Sequence, residues 1–490
     1  MGRNILGDNI YGRFMIFIGL LTLVPLTVLL FDTKERNNAA AFLIPGVLSI
    51  VAGCFVCGKV KQVDEKVSEW QSPMQKGSLP VLFAWCFGFL AGALPFLISG
   101  KLDFIHALFE SVSGWSTTGL TVIDVATTPR IFLFHRSFMQ YCGGLGFILM
   151  MLILVQSKQA VNLFAAEGHP DRLMPNLKKT VQIIFFLYNA FLVLGTLLYR
   201  IFGMAWFDAI CHTMSALSTA GFTTQQNSIG EYKNFAIETV TIILMLIGST
   251  NFAVLLLLSR FRLRKMFRVT ELRFLGALLL IFTPLIAFSL MGSLGMSLGE
   301  SLLKALFGVI TTFSTTGYST MDYALWPPFA VGLLFPLMII GGGVGSTAGG
   351  IKLSRTYLLL TAVRENIRKR FSSSRRVTSL YYYRAQGKTK IDHALISDTV
   401  GFAACYFGVL LVGTLLITVA EGCPLMDAMF EFTSAFGTVG ISNGLTATAN
   451  TGTLIVEMIG MVLGRLEMFI VFIGVYSAAA KIKSKIEKRF

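Results

Sequence analysis

Four short segments of this 490-residue chain repeat one pattern of threonine, glycine and hydroxyl side chains: WSTTGLT at Trp115–Thr121, LSTAGFT at Leu217–Thr223, FSTTGYS at Phe313–Ser319 and FGTVGIS at Phe436–Ser442. Their glycines, Gly119, Gly221, Gly317 and Gly440, are spaced 102, 96 and 123 residues apart. The register extends in both directions. Alanine stands twelve residues before each glycine (Ala107, Ala209, Ala305, Ala428) and a hydroxyl six before (Ser113, Ser215, Thr311, Ser434). Threonine stands two before (Thr117, Thr219, Thr315, Thr438) and a hydroxyl two after (Thr121, Thr223, Ser319, Ser442). Ser-Thr-Gly clusters also serve helix–helix contacts in membranes, but that use does not call for four copies in common register. The segments hold no nucleophile with a base and no metal-ligand set, so their chemistry lies in the main chain. An extended Thr-x-Gly segment can turn its carbonyls toward an axis, and glycine permits the torsions required. Four such segments around one axis would form rings of oxygen that replace the hydration shell of a potassium ion. The candidate ion-binding residues are Thr117, Thr118, Gly119 and Leu120; Thr219, Ala220, Gly221 and Phe222; Thr315, Thr316, Gly317 and Tyr318; and Thr438, Val439, Gly440 and Ile441.

Such segments need elements that carry them to mid-membrane. The chain is 54% hydrophobic and 14% charged, with 42 phenylalanines, and apolar runs of about 20 residues recur along it. It reads as an all-α polytopic membrane protein. Each cluster follows an apolar span and a short amphipathic stretch, and precedes a polar turn and a second span. The spans run over Val81–Ser99 and Ile131–Gln156, Thr180–Phe202 and Phe235–Ser259, Leu272–Met291 and Pro328–Thr361, and Ala394–Val419 and Leu454–Ala480. Pro129 is placed to open the second span of the first repeat, and Pro424 the first turn of the fourth short helix. With two leading spans, near Phe14–Phe31 and Ala40–Gly58, the expectation is ten full spans and four half-helices. The units are 1–70 (the leading pair), 71–165, 166–262, 263–385 and 386–490, the last four in pseudo-fourfold arrangement around one pore. A half-helix that stops midway points a carbonyl end worth about half a negative charge at the bilayer centre. Irregular backbone at that depth survives only inside protein or along a water-filled path.

The formal charge of +15 does not indicate nucleic acid, because the basic residues concentrate in alternate loops: Lys59–Lys76, Lys158–Lys179, Arg260–Arg273, Arg364–Lys390 and the tail KIKSKIEKRF. That alternation follows the positive-inside rule and places both termini in the cytoplasm, with anionic membrane lipid as a secondary contact. The first run, Phe14–Phe31, is long for a signal peptide and reads as a retained span. Seven cysteines, with Cys54 and Cys57 inside a span, read as packing residues, and the five histidines show no ligand spacing.

The Thr-x-Gly clusters resemble potassium-channel filters, Thr438-Val439-Gly440 most closely. Four joined span–pore-helix–span units after two leading helices resemble the TrkH/KtrB/HKT superfamily of potassium transport subunits over essentially the whole chain. GGLGF at Gly143–Phe147, GGGVGSTAGGIK at Gly341–Lys352 and GRLEMF at Gly464–Phe469 carry the same resemblance. It implies a plasma-membrane subunit that conducts K+, with potassium preference marked by glycine at all four filter positions. It also implies a homodimer and a separate cytoplasmic ring of nucleotide-binding regulatory subunits of TrkA/KtrA type, for which Arg364–Lys390 is a candidate docking surface.

Two features suggest a gate. Arg465 lies inside the last apolar span, where a cation costs a few kcal/mol or more unless it faces water or a partner. Glu467 is one possible partner; a place beside the pore below the filter is the other, and the resemblance assigns a gating arginine there. The glycine run, with candidate gate residues Gly341, Gly342, Gly343, Gly345, Ser346, Thr347, Gly349, Gly350 and Lys352, weakens a helix by about 1 kcal/mol per glycine. A phosphate-loop reading fails, since Ile351 stands where lysine must be. The expectation is a helix broken into a loop under the filter. Glu110 and Arg136 are expected to pair. No acid–base pair, nucleophile or metal cluster marks an enzyme. A sodium- or proton-coupled secondary transporter is the alternative; it predicts inverted repeats, whereas these four units share one topology.

Overall fold

The computed structural model describes residues 9–59, 73–146, 177–372 and 379–487. Within them the protein is a bundle of apolar helices. Six helices are long and apolar enough to cross a bilayer: Ile10–Leu30, Thr33–Gly58, Gly77–Ile98, Lys179–Ile201, Thr270–Leu294 and His393–Glu421. Large apolar side chains such as Phe186, Leu280, Phe288 and Val419 are exposed on their outer faces, as a lipid solvent requires, while the threonines two before each of the four glycines are fully buried. The first two helices pack together and, with the helix that opens repeat 1, share one core with the first pore helix.

Each repeat then has the same order: an outer helix, a short pore helix, an extended segment and an inner helix. The pore helices are Phe104–Trp115, Trp206–Leu217, Leu298–Phe313 and Leu425–Phe436. Pro129 and Pro424 stand one residue before the first helical residue and not inside it. Asp103 and Ser297 cap the first and third pore helices by accepting from the N–H of Ile105 and Glu300.

The inner helices depart from the expectation of continuous spans. That of repeat 2 is two helices, Phe235–Ser249 and Phe252–Ser259, bent by 115°; that of repeat 4, Thr451–Arg465 and Met468–Glu487, is bent by 104°. The physical reasons are local. Asn251 caps a new helix by accepting from the N–H of Ala253, and Glu467 adopts a left-handed backbone with φ of 56°. In repeat 3 the break spans residues 341–352, between Pro328–Ile340 and Leu353–Arg370. In repeat 1 the helix Arg130–Leu145 ends at Gly146, and the rest of the expected span to Gln156 lies outside the described residues. So do most of the basic loops near Lys59–Lys76 and Lys158–Lys179 and part of the Arg364–Lys390 segment.

One element is not anticipated by the sequence reading. Leu380–Arg384 and Gly387–Ile391 form an antiparallel hairpin with Tyr382 opposite Thr389. Its buried Tyr382 and Ile391 pack on Leu358 of the helix that follows the glycine-rich loop.

Candidate functional site

All four pore helices end four residues before their filter glycine, and all end the same way. The N–H of the following threonine bonds back to a carbonyl in the last turn: Thr117 to Gly114 O, Thr219 to Ala216 O, Thr315 to Thr312 O and Thr438 to Ala435 O. The next N–H reaches one residue further: Thr118 to Ser113 O at 3.0 Å, Ala220 to Ser215 O at 2.9 Å, Thr316 to Thr311 O at 2.9 Å and Val439 to Ser434 O at 2.8 Å. This is a Schellman termination, in which the left-handed residue is ordinarily glycine. Here it is threonine each time, with φ of 59°, 53°, 57° and 52° at Thr117, Thr219, Thr315 and Thr438. A β-branched residue in that region is strained by about 1–3 kcal/mol. Four copies of the same strain point to a need for the hydroxyl that glycine lacks.

The four extended segments meet in a closed cycle. A Cβ added at Gly119 would press on the backbone of Gly221, and one at Gly221 would lie 2.7 Å from Thr316 O. A Cβ at Gly317 would meet Val439 O, and one at Gly440 would meet Thr118 O, which returns to the first repeat. Gly119, Gly317 and Gly440 also need left-handed backbone, with φ of 97°, 78° and 84°; Gly221 does not, and its constraint is space alone. Among the described residues, none of the main-chain carbonyls of Thr117, Thr118, Gly119, Thr219, Ala220, Gly221, Thr315, Thr316, Gly317, Thr438, Val439 and Gly440 accepts a hydrogen bond. One residue later the pattern changes. Leu120 O accepts from Ser113 Oγ at 2.6 Å and Tyr318 O from the Tyr323 hydroxyl at 3.3 Å, while the Tyr318 hydroxyl lies between His212 O at 3.2 Å and Phe222 O at 3.4 Å. Buried carbonyls are satisfied almost everywhere in folded proteins, so twelve without a protein donor in one place form a site built of acceptors.

The glycine-rich loop and Arg465 lie against the threonine ends of these segments. Thr347 Oγ1 is 2.9 Å from Thr219 Oγ1 and 2.9 Å from Gly248 O; the N–H of Gly349 donates to Thr315 Oγ1 at 2.9 Å; and the Cα of Gly349 faces Thr438 Oγ1. Arg465 Nη1 reaches Thr117 Oγ1 at 3.4 Å and Thr347 O, while Nη2 donates to the carbonyls of Gly143 and Gly144. Loop and arginine together touch all four threonines. The loop is itself tied down: Gly343 N–H to Ser249 O, Phe252 N–H to Gly345 O, Ser346 Oγ to Gly343 O and Lys352 Nζ to Ala348 O. Gly341 and Gly350 adopt φ of 67° and 72° where the loop's two ends approach each other, and Gly342 faces Ala348. Glu467, considered as a partner for Arg465, instead pairs with Arg355 at 2.9 Å.

Behind the segments, Glu110 and Arg136 pair as expected, at 2.6 Å and essentially without solvent exposure. Glu110 also accepts from Thr121 Oγ1 and the N–H of Val122, and Arg136 stacks over Phe222 at 4.0 Å, so the pair ties the outer end of the first segment to the second. Removing one member strands the other charge in the interior. Glu110→Gln is therefore expected to destabilise the folded protein by about 3–5 kcal/mol, read as a lowered unfolding temperature in detergent. An unchanged transition would show the pair to be dispensable.

The chain matches the family described as "TrkH: Cation transport protein" over residues 45–481. The chain belongs to the TrkH family. It is 30% identical over 482 residues to the Trk system potassium uptake protein TrkG of Escherichia coli strain K12, covering 94% of this chain and 95% of that one. It is 29% identical over 475 residues to an uncharacterized cation transporter of Methanocaldococcus jannaschii, covering 95% and 94%. Its fold matches the crystal structure of the potassium transporter TrkH from Vibrio parahaemolyticus with a TM-score of 0.82 and 24% identity, over 94% of this chain and 96% of that one. The chain is thus a multi-pass, helical TrkH-family membrane protein.

The structure also brings together residues that the sequence did not connect. A Cβ at Gly143, Gly248 or Gly464 would collide with the last carbonyl of its own repeat's pore helix, at Trp115, Leu217 and Phe436. These glycines let inner helix and pore helix touch backbone to backbone. Gly143 and Gly464 lie in motifs that carry the family resemblance, and the signal for Gly248 was its place in the apolar run just before the Asn251 cap. Gln140, whose Oε1 accepts from the N–H of Phe222 at 3.3 Å, carried no signal beyond an isolated amide in an apolar helix.

Proposed function

We propose that this chain is the ion-conducting subunit of a Trk-type potassium uptake system, passing K+ through the conduit bounded by the four Thr-x-Gly segments. The observation that carries this reading is the closed cycle of segments bearing twelve carbonyls that accept no hydrogen bond among the described residues. Left-handed threonine and glycine two residues apart in the first, third and fourth segments, and left-handed Thr219 in the second, bend the backbone out of a regular strand, and oxygens unclaimed by protein are free to replace water around an alkali cation. Thr117, Thr219, Thr315 and Thr438 end the filter on the loop side, and the carbonyls at Leu120, Phe222, Tyr318 and Ile441 stand at its other end. The pore helices aim their negative ends at the same place. The names of the relatives as parts of a Trk system support a multi-component assembly; the partners proposed for it are a cytoplasmic regulatory ring and a second copy of this chain. The glycine loop and Arg465 serve as the gate. The inside-negative membrane potential supplies about 2.3 kcal/mol per charge per 100 mV for inward flux.

Flux into liposomes carrying the purified protein tests this directly. Potassium uptake driven by a potential is expected to exceed sodium uptake under matched gradients, without need of a proton or sodium gradient. Flux that collapses when such a gradient is removed would favour coupled transport and overturn the passive reading.

A further inference from the structure

Seventeen residues after the filter glycine, three of the four inner helices place a charged side chain at the same height behind the filter: Arg136, Glu238 and Glu457; the third repeat has Leu334. Two of the three have a countercharge. Arg136 pairs with Glu110, and Glu238 with Lys304 at 3.0 Å. Glu457 faces another carboxylate. Its neighbour is Glu431, which stands nine residues before Gly440 as Glu110 stands nine before Gly119, and both are fully buried.

The hydrogens in this pocket can be counted. Glu431 accepts from Ser442 Oγ, from the N–H of Asn443 at 3.2 Å, from the N–H of Thr446 at 2.9 Å and from Thr446 Oγ1 at 2.6 Å. Three of these donors reach Oε1 and one reaches Oε2, a set that favours an ionised carboxylate, and 2.6 Å is the length of a hydroxyl bonded to an anion. The single Thr446 hydroxyl proton is therefore spent on Glu431. Yet Thr446 Oγ1 also lies 3.2 Å from both carboxyl oxygens of Glu457. Two carboxyl groups meeting one hydroxyl proton need a second proton, and it belongs on Glu457: Glu431 has three other donors aimed at it, whereas among the described residues Glu457 has Thr446 Oγ1 alone. The other acidic group facing the pair is Glu421, engaged by the N–H of Asn450 and Thr453 Oγ1. Among the described residues, no cation bonds to Glu431 or Glu457. Two buried carboxylates around one hydroxyl keep a proton between them.

We propose that Glu457 is a positioning residue of the filter: it holds a proton, donates it to Thr446, and so fixes the ionised Glu431 that clasps the outer end of the fourth segment at Ser442 and Asn443. It does with a neutral hydrogen bond what Arg136 does with a charge in the first repeat. This rests on the filter reading for its function, but its first readout does not. Infrared spectra of the protein in liposomes are expected to show the carbonyl band of a buried protonated carboxyl group, lost in Glu457→Gln. That variant supplies a neutral donor of the same shape, so its potassium flux and K+ over Na+ ratio stay within about twofold of wild type. Glu457→Leu cannot donate, leaves Thr446 and Glu431 misplaced, and lowers the ratio about tenfold. Raising pH enough to strip the proton sets two anions against each other, so selectivity declines with pH in wild type and stays flat in Glu457→Gln. Persistence of the band in Glu457→Gln, or damage from Gln as large as from Leu, overturns the proposal. Should Glu457→Gln not assemble, the wild-type spectrum decides: absence of the band at neutral pH overturns it, and its presence sustains it.

Discussion

Replacing Gly440 by alanine is expected to cut potassium flux by at least tenfold and to erode discrimination against sodium, with the protein still in the membrane. Two independent costs act at that residue. Its φ of 84° lies in the region where a Cβ crowds the following carbonyl, at about 1–2 kcal/mol. The new methyl would also press on Thr118 O, one of the bare carbonyls of the neighbouring segment, and a backbone atom has no rotamer to retreat into. The first and fourth segments must move apart, and the oxygens they present move with them. Gly317 carries the same pair of costs against Val439 O. Gly221 carries only one: its backbone is not left-handed, and its nearest obstruction, Thr316 O, would lie 2.7 Å away. Gly221→Ala should therefore be the mildest of the filter alanine variants. Ion flux and K+ over Na+ ratios across the series, normalised to protein in the liposomes, give the ranking. A Gly440→Ala protein that conducts and selects like wild type would mean that contact between segments does not shape the conduit.

What the sequence made legible was whatever repeats. Four clusters in register located the extended segments, because a shared functional constraint keeps residue type at a position even when the surrounding helices diverge. The outer helices were equally plain, since long apolar runs have few other uses. The bends of the inner helices were not legible. Phe235–Ser259 and Leu454–Ala480 read as continuous spans because hydropathy averages over a break of two residues. What turns the chain there is an asparagine cap and one left-handed glutamate, neither of which alters the apolar content. The hairpin at Leu380–Ile391 sat in a basic stretch that composition assigned to a loop, although its run of three tyrosines suits a strand with one face on a helix. Glu457 was hidden for a different reason. Its meaning depends on Thr446, which lies outside the repeated register and is brought to it only by the fold.

Arg465 offers the sharpest test of the proposed gate, because two mechanisms converge on one side chain. As a charge, it confronts any cation that passes the Thr117 hydroxyl, 3.4 Å from its own Nη1. Like charges at about 4 Å repel by roughly 4 kcal/mol at the effective dielectric of a protein surface. As a tether, its donors join Thr347 of the glycine loop to Gly143 and Gly144 of the first inner helix. Arg465→Ala removes both and is expected to raise flux about tenfold or more while leaving K+ over Na+ selectivity unchanged, since the bare carbonyls are untouched. Arg465→Gln separates them, because the amide keeps donors toward Thr347 and Gly143 but carries no charge. If repulsion is the barrier, Gln matches Ala; if the tether is, Gln stays near wild type. Deleting Gly345–Gly349 removes the loop's bonds to Thr219 and Thr315 directly and should raise flux in either case. The loop would be excluded as a gate if the deletion left flux at the wild-type level in a protein that still selects potassium. The fully open rate would then have to be set elsewhere along the path.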